Sequence, residues 1–482
     1  MDSLPTVLLK PGEADRIVAG HPWIYHGEIL RVTQRGGGDA SSHVSTTEAS
    51  RLPADGELVQ VKDHRQRFLG VGFFNSQSKI NVRVLSPERV EVNERFFEER
   101  IRVALAVRQK HLPEATSFRV VNAESDFLSG LIVDKYGCGE ATDEPPSLRL
   151  GAPRPAREDA RPTKNGNDIL VVQISSLGMD QRKAQIVGAL QKIFSPRAIL
   201  ERSDVASRKF EGLAEANGIL SGEFGQRTAT VECADMSAPS STRHVASSES
   251  GGMPPQSKMF VNLNGLKFET DLTGGHKTGL YLDQQVNYLA MAKFANGAQV
   301  LDCFSFLGGF GLHAARAGAA HVHFLDQSAE AIEASKRNAA ANGLAEKCSF
   351  EAVNAFDWLK TQTAVKPHEK VVPRFDLIVL DPPSFTRNRA SVPDALRGYK
   401  EIHIRALKLL KTGGTLATFC CSHHVNAATF QDVILSAAYD TRRLLRRVAT
   451  YSQSPDHPII PMIPETEYLK GFAFEVVRCK SE

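Results

Sequence analysis

From about residue 260 onward the chain alternates short apolar runs with amphipathic segments, a rhythm that few architectures accept. The runs are AQVLDCF (298–304), HVHFLD (321–326), CSFEAVN (348–354), FDLIVLD (375–381) and GTLATFCCS (414–422). Helical patterns fall between several of them, at 309–318, 328–343, near 394–410 and near 426–438. Strands too apolar to alternate must be covered on both faces, which predicts a doubly wound parallel α/β sheet over residues 259–482. Two further strands, near 443–452 and 472–478, would close its edge.

Upstream the pattern differs. TVLLK, ELVQVKD, FLGVGFF and INVRVLS predict a small β-rich module in residues 1–92. Helical spacing over 93–111, then β-like runs between about 118 and 224 around a helix near 180–194, predict a central α+β domain in residues 93–258. Stretches at about 33–55, 139–167 and 226–257 are rich in Gly, Pro, Ser and Thr and poor in large apolar side chains, so they are expected to be disordered surface insertions.

With 42% hydrophobic and 23% charged residues among 482, the chain is neither fibrous nor wholly disordered. No run approaches the roughly 18–20 apolar residues of a membrane span, and the start lacks a secretion-signal pattern, so a cytoplasmic protein without membrane contact is expected. The net charge of +3 leaves nucleic-acid binding to local patches. Seven cysteines, at 138, 233, 303, 348, 420, 421 and 479, form no CxxC pair, so no metal is expected and the thiols read as reduced.

The sharpest local signal is Leu301-Asp302-Cys303-Phe304-Ser305-Phe306-Leu307-Gly308-Gly309-Phe310-Gly311, a strand entering glycines that open a helix. Its order does not fit the GxGxxG of dinucleotide binding. Asp326 ends the next strand, where a carboxylate can accept from ribose hydroxyls; Asn354 ends the third, where an amide can meet an adenine edge; Asp381-Pro382-Pro383-Ser384-Phe385 ends the fourth. Four polar strand ends in register predict a cofactor site.

Asp302 to Gly311, Asp326 and Asp381-Pro-Pro-Ser-Phe resemble motifs of class I S-adenosylmethionine (SAM)-dependent methyltransferases with a Rossmann-like fold. Gly275-His276-Lys277-Thr278-Gly279-Leu280-Tyr281-Leu282-Asp283-Gln284-Gln285, with CFSFLGGF, DPPSF, TFCCS and Tyr468-Leu469-Lys470-Gly471-Phe472, is similar to the bacterial 23S rRNA cytosine-C5 methyltransferases that begin with a PUA module. His21 to Gly27 and Glu124 to Asp134 are similar to that family's N-terminal and central signatures. The resemblance implies SAM as cofactor and large-subunit ribosomal RNA as partner, and leaves a homodimer open. It implies cofactor contacts at Asp302, Phe304, Ser305, Gly308, Gly309, Phe310, Asp326, Gln327, Asn354, Ala355 and Asp381, with Tyr281 and Gln284 as lining. Lys277, Pro382, Pro383 and Ser384 would meet the substrate. The chain departs from the family at Asn354, where an acid is usual, and at Ser384, where a lysine is common.

Cytosine C5 is a poor nucleophile, so the known route adds a thiolate to C6 first. Cys420 and Cys421 end the fifth strand and should point to opposite faces, so one of them reaches the pocket. Cys421, nearer the tip and aligned with the family's nucleophile, is the expected nucleophile, with Asp381 supporting protonation of the base; no residue is assigned to remove the C5 proton. The target base must be unstacked, and Trp23 and Tyr25 are candidate stacking surfaces, with Lys10, Arg16, Arg65 and Arg67 for phosphates. The rival readings are a methyltransferase acting on another rRNA base atom, such as an exocyclic amine or guanine, and an inactive RNA-binding relative.

Overall fold

The computed structural model describes residues 4–33, 53–138, 166–224, 258–274, 279–366, 368–386 and 388–477. Most of each expected insertion, and Lys277, lie outside the described residues.

Six strands, β1 (Thr6–Leu9), β2 (Trp23–Tyr25), β3 (Ile29–Thr33), β4 (Leu58–Lys62), β5 (Phe68–Phe74) and β6 (Ile80–Ser86), form one sheet in the order β2-β6-β5-β4-β1-β3. Alternate residues such as Val7, Leu9, Val59 and Val61 turn inward with Ile17 and Ile24 to make its small core. This is the β-rich module expected from the alternation.

Helix α1 (Glu94–His111) follows, its first turn capped by the Asn93 side chain, which accepts the Phe96 N–H at 3.1 Å. With α2 (Lys183–Phe194) it covers one face of a five-stranded sheet ordered β11-β10-β9-β8-β7. Its strands are β7 (Phe118–Asn122), β8 (Leu131–Tyr136), β9 (Ile169–Ile174), β10 (Ala198–Ser203) and β11 (Ala216–Gly222). The other face, through Tyr136, Ile169 and Val171, shares a core with a hairpin of β12 (Lys258–Leu263) and β13 (Leu266–Asp271). The apolar runs in the sequence predict no strands here. The hairpin turns at Asn264-Gly265, both at positive φ (54° and 78°), a pair whose turn matches the twist of the strands it joins.

The last sheet has seven strands in the order β16-β15-β14-β17-β18-β20-β19: β14 (Gln299–Cys303), β15 (His321–Asp326), β16 (Cys348–Ala352), β17 (Phe375–Leu380), β18 (Leu410–Cys420), β19 (Leu444–Ser452) and β20 (Lys470–Val477). β14 to β18 pair in parallel, and β20 runs against both its neighbours. The helices are α3 (Gln285–Ala292), α4 (Gly309–Arg316), α5 (Ala329–Ala341), α6 (Ala355–Thr363), α7 (Val392–Leu409) and α8 (Ala427–Asp440). Alternate strand residues feed two cores: Val300, Phe324, Val379 and Phe419 on one face, Leu301, Leu325, Leu380 and Cys420 on the other. That two-sided burial is what the apolar runs predicted. The chain leaves β14 toward β15 and β16, then crosses back to β17 on the other side, so the crevice of this fold opens at the carboxyl ends of β14 and β17. Among the described residues no helix is long and apolar enough to cross a membrane.

Candidate active site

β14 delivers Asp302, almost fully buried, to the floor of that crevice. Its Oδ2 accepts the Gly311 N–H at 2.8 Å, while Oδ1 is buried and has no hydrogen-bond partner among the described residues. Burial, with the charges of Asp381 and Asp326 added, pushes its carboxyl up to about 8. Gly311 has no room for a side chain: a Cβ there would sit 2.2 Å from the Phe324 ring and 2.9 Å from Asp302 Oδ2.

Between strand and helix the backbone is strained. Phe304 and Phe306 hold φ of 64° and 49°, and Gly308 holds 88°. Two aromatic residues in the left-handed region cost about 1–2 kcal/mol each and persist only where neighbours over-determine them. Here Ser305 N donates to Leu325 O at 2.9 Å, Phe306 N to Asp326 Oδ2 at 2.9 Å and Gly308 N to Ser305 O at 2.8 Å. The Ser305 hydroxyl is buried without a partner among the described residues. Asp326 is fixed from both sides, since its Oδ1 also accepts the Ser328 N–H at 2.9 Å.

Gln327 and Asn354 are exposed and Ala355 is buried. Asn354 is not free to turn: its Oδ1 accepts the Phe356 N–H at 2.9 Å and caps α6, a helix the sequence reading did not place. That fixes its orientation and leaves its amide hydrogens and the second lone pair of Oδ1 for an adenine edge.

Asp381 follows β17 and takes a hydrogen bond from Gln284 Nε2 at 3.2 Å. Tyr281 packs edge-on against Phe306, their centroids 5.2 Å apart. Burial raises its phenol above the ordinary range, helped by the charges of Asp381, Asp283, Cys421 and Asp326. Tyr281 is therefore an uncharged wedge between the glycine loop and the acid. Pro382 is buried, whereas Pro383 and Ser384 are exposed on the rim. Ser384 Oγ lies 2.9 Å from Ser422 Oγ, tying the loop after β17 to the loop after β18.

The two cysteines divide as strand alternation demands. Cys420 is wholly buried in the core that holds Leu301 and Leu380, while Cys421, partly exposed, packs against the opposite core and lies 4.0 Å from the Pro382 carbonyl. The thiol on the crevice side thus stands beside the acid's own loop. His423 and His424 are exposed, and the His423 ring leans on Tyr468 with centroids 5.6 Å apart.

Several positioning residues escaped sequence reasoning. Tyr468 Oη donates to Asp283 Oδ2 at 2.7 Å, and Asp456 accepts from Gln285 Nε2 at 2.9 Å and from the Arg119 N–H at 2.9 Å. Arg108, fully buried, donates to the Asp456 carbonyl at 2.8 Å. The 281–285 wall is thereby anchored to the central domain. Trp23, a candidate stacking surface, donates Nε1 to Glu124 at 3.1 Å and Ser129 at 3.3 Å, so its edge is committed to the seam with the central domain. Arg16 is likewise engaged with Glu28 at 2.5 Å, and Arg67 with Asp63 at 2.6 Å. Among the described residues no group of three or more His, Cys, Asp or Glu is placed to hold a metal.

The buried unpartnered oxygens of Asp302 and Ser305, the space kept at Gly311 and the fixed Asp326 carboxylate together suit a polar, nucleoside-bearing ligand. Comparison with known proteins agrees. Residues 7–87 match a model of PUA-like domains, and 243–461 match a model of S-adenosylmethionine-dependent methyltransferases. The chain is 32% identical over 476 residues to the ribosomal RNA large subunit methyltransferase I of Vibrio vulnificus, covering 98% of this chain and 99% of that one. It is 34% identical over 474 residues to the protein of the same name from Shewanella amazonensis, with the same coverage. Among solved structures, SMU.776 complexed with SAH shares the fold with a TM-score of 0.68 at 18% identity, over 98% of this chain and 100% of that one.

Proposed function

The chain belongs to the ribosomal RNA large subunit methyltransferase I family, and from that premise we propose that this SAM-dependent methyltransferase methylates C5 of a cytosine in large-subunit ribosomal RNA through a Cys421 thiolate. The observation that carries the reading is the thiol on the crevice side of β18, 4.0 Å from the carbonyl that follows Asp381. Direct transfer to an exocyclic nitrogen needs no such group.

The strained loop from Phe304 to Phe310, Asp302 and Asp326, whose carboxylate has lone pairs left for ribose hydroxyls, would hold the cofactor. When bound, SAM supplies an electrophilic methyl. The residues of the chain do the rest. Cys421 Sγ, as thiolate, forms a bond to C6 of the unstacked cytosine, and the C5=C6 electron pair moves toward C4 and N3. Asp381, oriented by Gln284, hydrogen-bonds the N3 edge and supports the proton that accumulates there. C5, now enamine-like, would take the methyl that bound SAM supplies, the bonding pair staying on the cofactor's sulfur; solvent water takes the C5 proton, the C5=C6 bond re-forms and Cys421 departs as thiolate. The N-terminal module, with Tyr25 under the Arg16 guanidinium at 5.2 Å, presents a stacking surface for neighbouring bases.

The test is to incubate the protein with methyl-labelled SAM and large-subunit ribosomal RNA lacking its own modifications, then digest and identify the labelled nucleoside. Label in 5-methylcytidine that disappears with Cys421→Ser supports the proposal. Label in any other nucleoside removes it.

A further inference from the structure

Between β7 and β8 the chain makes one turn of 3-10 helix, Ala123–Asp126, which Phe127 ends. The Phe127 backbone is left-handed, with φ 57° and ψ 26°, the conformation for which helix ends prefer glycine. Its N–H donates to Glu124 O at 3.2 Å and the Leu128 N–H to Ala123 O at 3.0 Å, so the turn is closed by two bonds. Three phenylalanines among the described residues hold positive φ: Phe304 and Phe306 belong to the cofactor loop, and Phe127 is the third. A bulky side chain in that region is strained, and such strain clusters at sites of function. Nothing within the fold offsets it here. Phe127 is 39% exposed, and among the described residues it joins no hydrophobic core and meets no aromatic ring or cation. The turn uses the left-handed backbone to send Leu128 into the core, and glycine would meet that need without strain.

The turn is pinned from two sides. Trp23 Nε1 donates to Glu124 and Ser129, and Arg83 donates to Ser129 at 3.0 Å, which ties it to the N-terminal module. Arg108 pairs with Asp126 at 2.5 and 2.7 Å and donates to the Asp456 carbonyl, and the Asp456 carboxylate accepts from Gln285 of the wall beside Asp381. On the N-terminal module the Trp23 and Tyr25 rings stand edge-on 6.5 Å apart, with Arg83 5.9 Å from the first and Arg16 5.2 Å from the second. Rings interleaved with guanidinium groups suit single-stranded nucleic acid. Both acids of the turn are engaged, Glu124 with Trp23, Ser129 and, at 3.6 Å, Arg83, and Asp126 with Arg108, so neither is a bare charge that repels a phosphate.

We propose that Phe127 is a stacking platform for an unstacked base of the ribosomal RNA near the target nucleotide, extending the rings of the N-terminal module toward the crevice. The proposal rests on the reading of the substrate as unstacked RNA. A ring face accepts any base, so the contact holds the strand and does not read its sequence. A docked protein would need a contiguous apolar patch, whereas the chain neighbours of Phe127 are the paired Asp126 and the wholly buried Leu128.

The test uses the full chain as wild type, Phe127→Gly, Phe127→Leu and Phe127→Tyr. Filter binding to an unmodified large-subunit ribosomal RNA transcript gives the affinity, and total methyl incorporation from SAM gives kcat and the KM for that RNA. Phe127→Gly and Phe127→Leu should weaken binding and raise KM about tenfold with kcat within about twofold, while Phe127→Tyr, which keeps the ring face, should stay within about twofold throughout. The unfolding temperature of Phe127→Gly should hold within about 3 °C of the wild type's or rise, because glycine removes the strain. Unchanged RNA affinity in Phe127→Gly overturns the proposal and leaves the ring to a protein partner. A larger fall in unfolding temperature, or an equal loss of affinity in Phe127→Tyr, marks a packing role and overturns it too. If Phe127→Gly does not fold, Phe127→Leu against Phe127→Tyr decides. Total incorporation is blind to which base is labelled, so failure here is separable from failure of the cytosine assignment, which the labelled nucleoside and Cys421→Ser test.

Discussion

Gln284 donates its side-chain amide to Asp381 Oδ1 across 3.2 Å, joining a wall that precedes the sheet to the acid that ends its fourth strand. Gln284 is itself buried and held by Asn287, whose Nδ2 donates to Gln284 Oε1 at 2.6 Å. The acid's orientation is thus set from outside its own loop. Gln284→Leu keeps the volume but removes the donor to Asp381 and the acceptor of the buried Asn287 amide, so turnover should fall about tenfold and the unfolding temperature by about 2–4 °C. Single-turnover methylation rates check this, and an unchanged rate would remove Gln284 from the site.

The two neighbouring cysteines should separate cleanly. Cys420→Ala empties part of a dry core and should cost about 1–2 kcal/mol of stability while methylation persists. Cys421→Ser should abolish methylation with stability within about 0.5 kcal/mol of the wild type. Denaturant unfolding with a methylation assay distinguishes the pair; the reverse pattern would mean that the strand's faces are misassigned.

Gly311→Ala places a Cβ 2.2 Å from the Phe324 ring and 2.9 Å from Asp302 Oδ2, so helix α4 must back away from β14. The expected cost is about 1–3 kcal/mol, with at least about tenfold weaker SAM binding by calorimetry. Full affinity would show that the cofactor does not use this helix start.

Asp302 links the cofactor-free protein's stability to pH. Its folded carboxyl titrates near 8 against an ordinary value near 4, so between these limits the folded state keeps a proton that the unfolded chain has released. Stability from this group is whole below about pH 4 and drains away as pH rises toward 8. Asp302→Asn keeps an acceptor for the Gly311 N–H and cannot ionise. Its unfolding temperature relative to the wild type should therefore climb by a few degrees between pH 5 and pH 8.5. Calorimetric scans check the trend, and a difference independent of pH would contradict it.

What the sequence disclosed follows from the range of the interactions. Two-sided strand burial, the glycine loop and the opposite faces of Cys420 and Cys421 depend on periods of two to four residues, and each stands where the pattern put it. The hairpin at 258–271 and helix α6 have local signals too, an Asn-Gly turn and the Asn354 cap, but each is a short polar pattern that a ligand contact or a plain loop fits equally well. Trp23 has a composition-level case for stacking, but the Glu124 and Ser129 that receive its N–H lie 101 and 106 residues away. The same holds for Lys470 on Ser422 and for Asp456 between Arg119 and Gln285, separations of 48, 337 and 171 residues. Such partners are set by how the modules pack, and no spacing in the chain announces them.

The central claim is a covalent bond between Cys421 and C6 of the target cytosine, and 5-fluorocytidine traps it most directly, because fluorine replaces the proton whose loss releases the thiol. Large-subunit RNA carrying 5-fluorocytidine is incubated with the protein and SAM, and the complex is resolved under denaturing conditions and digested. The account predicts an RNA-linked protein whose modified peptide contains Cys421, formed only with cofactor and absent in Cys421→Ser. A linkage that survives Cys421→Ser, or none from a wild-type protein that methylates the unfluorinated RNA, would contradict it.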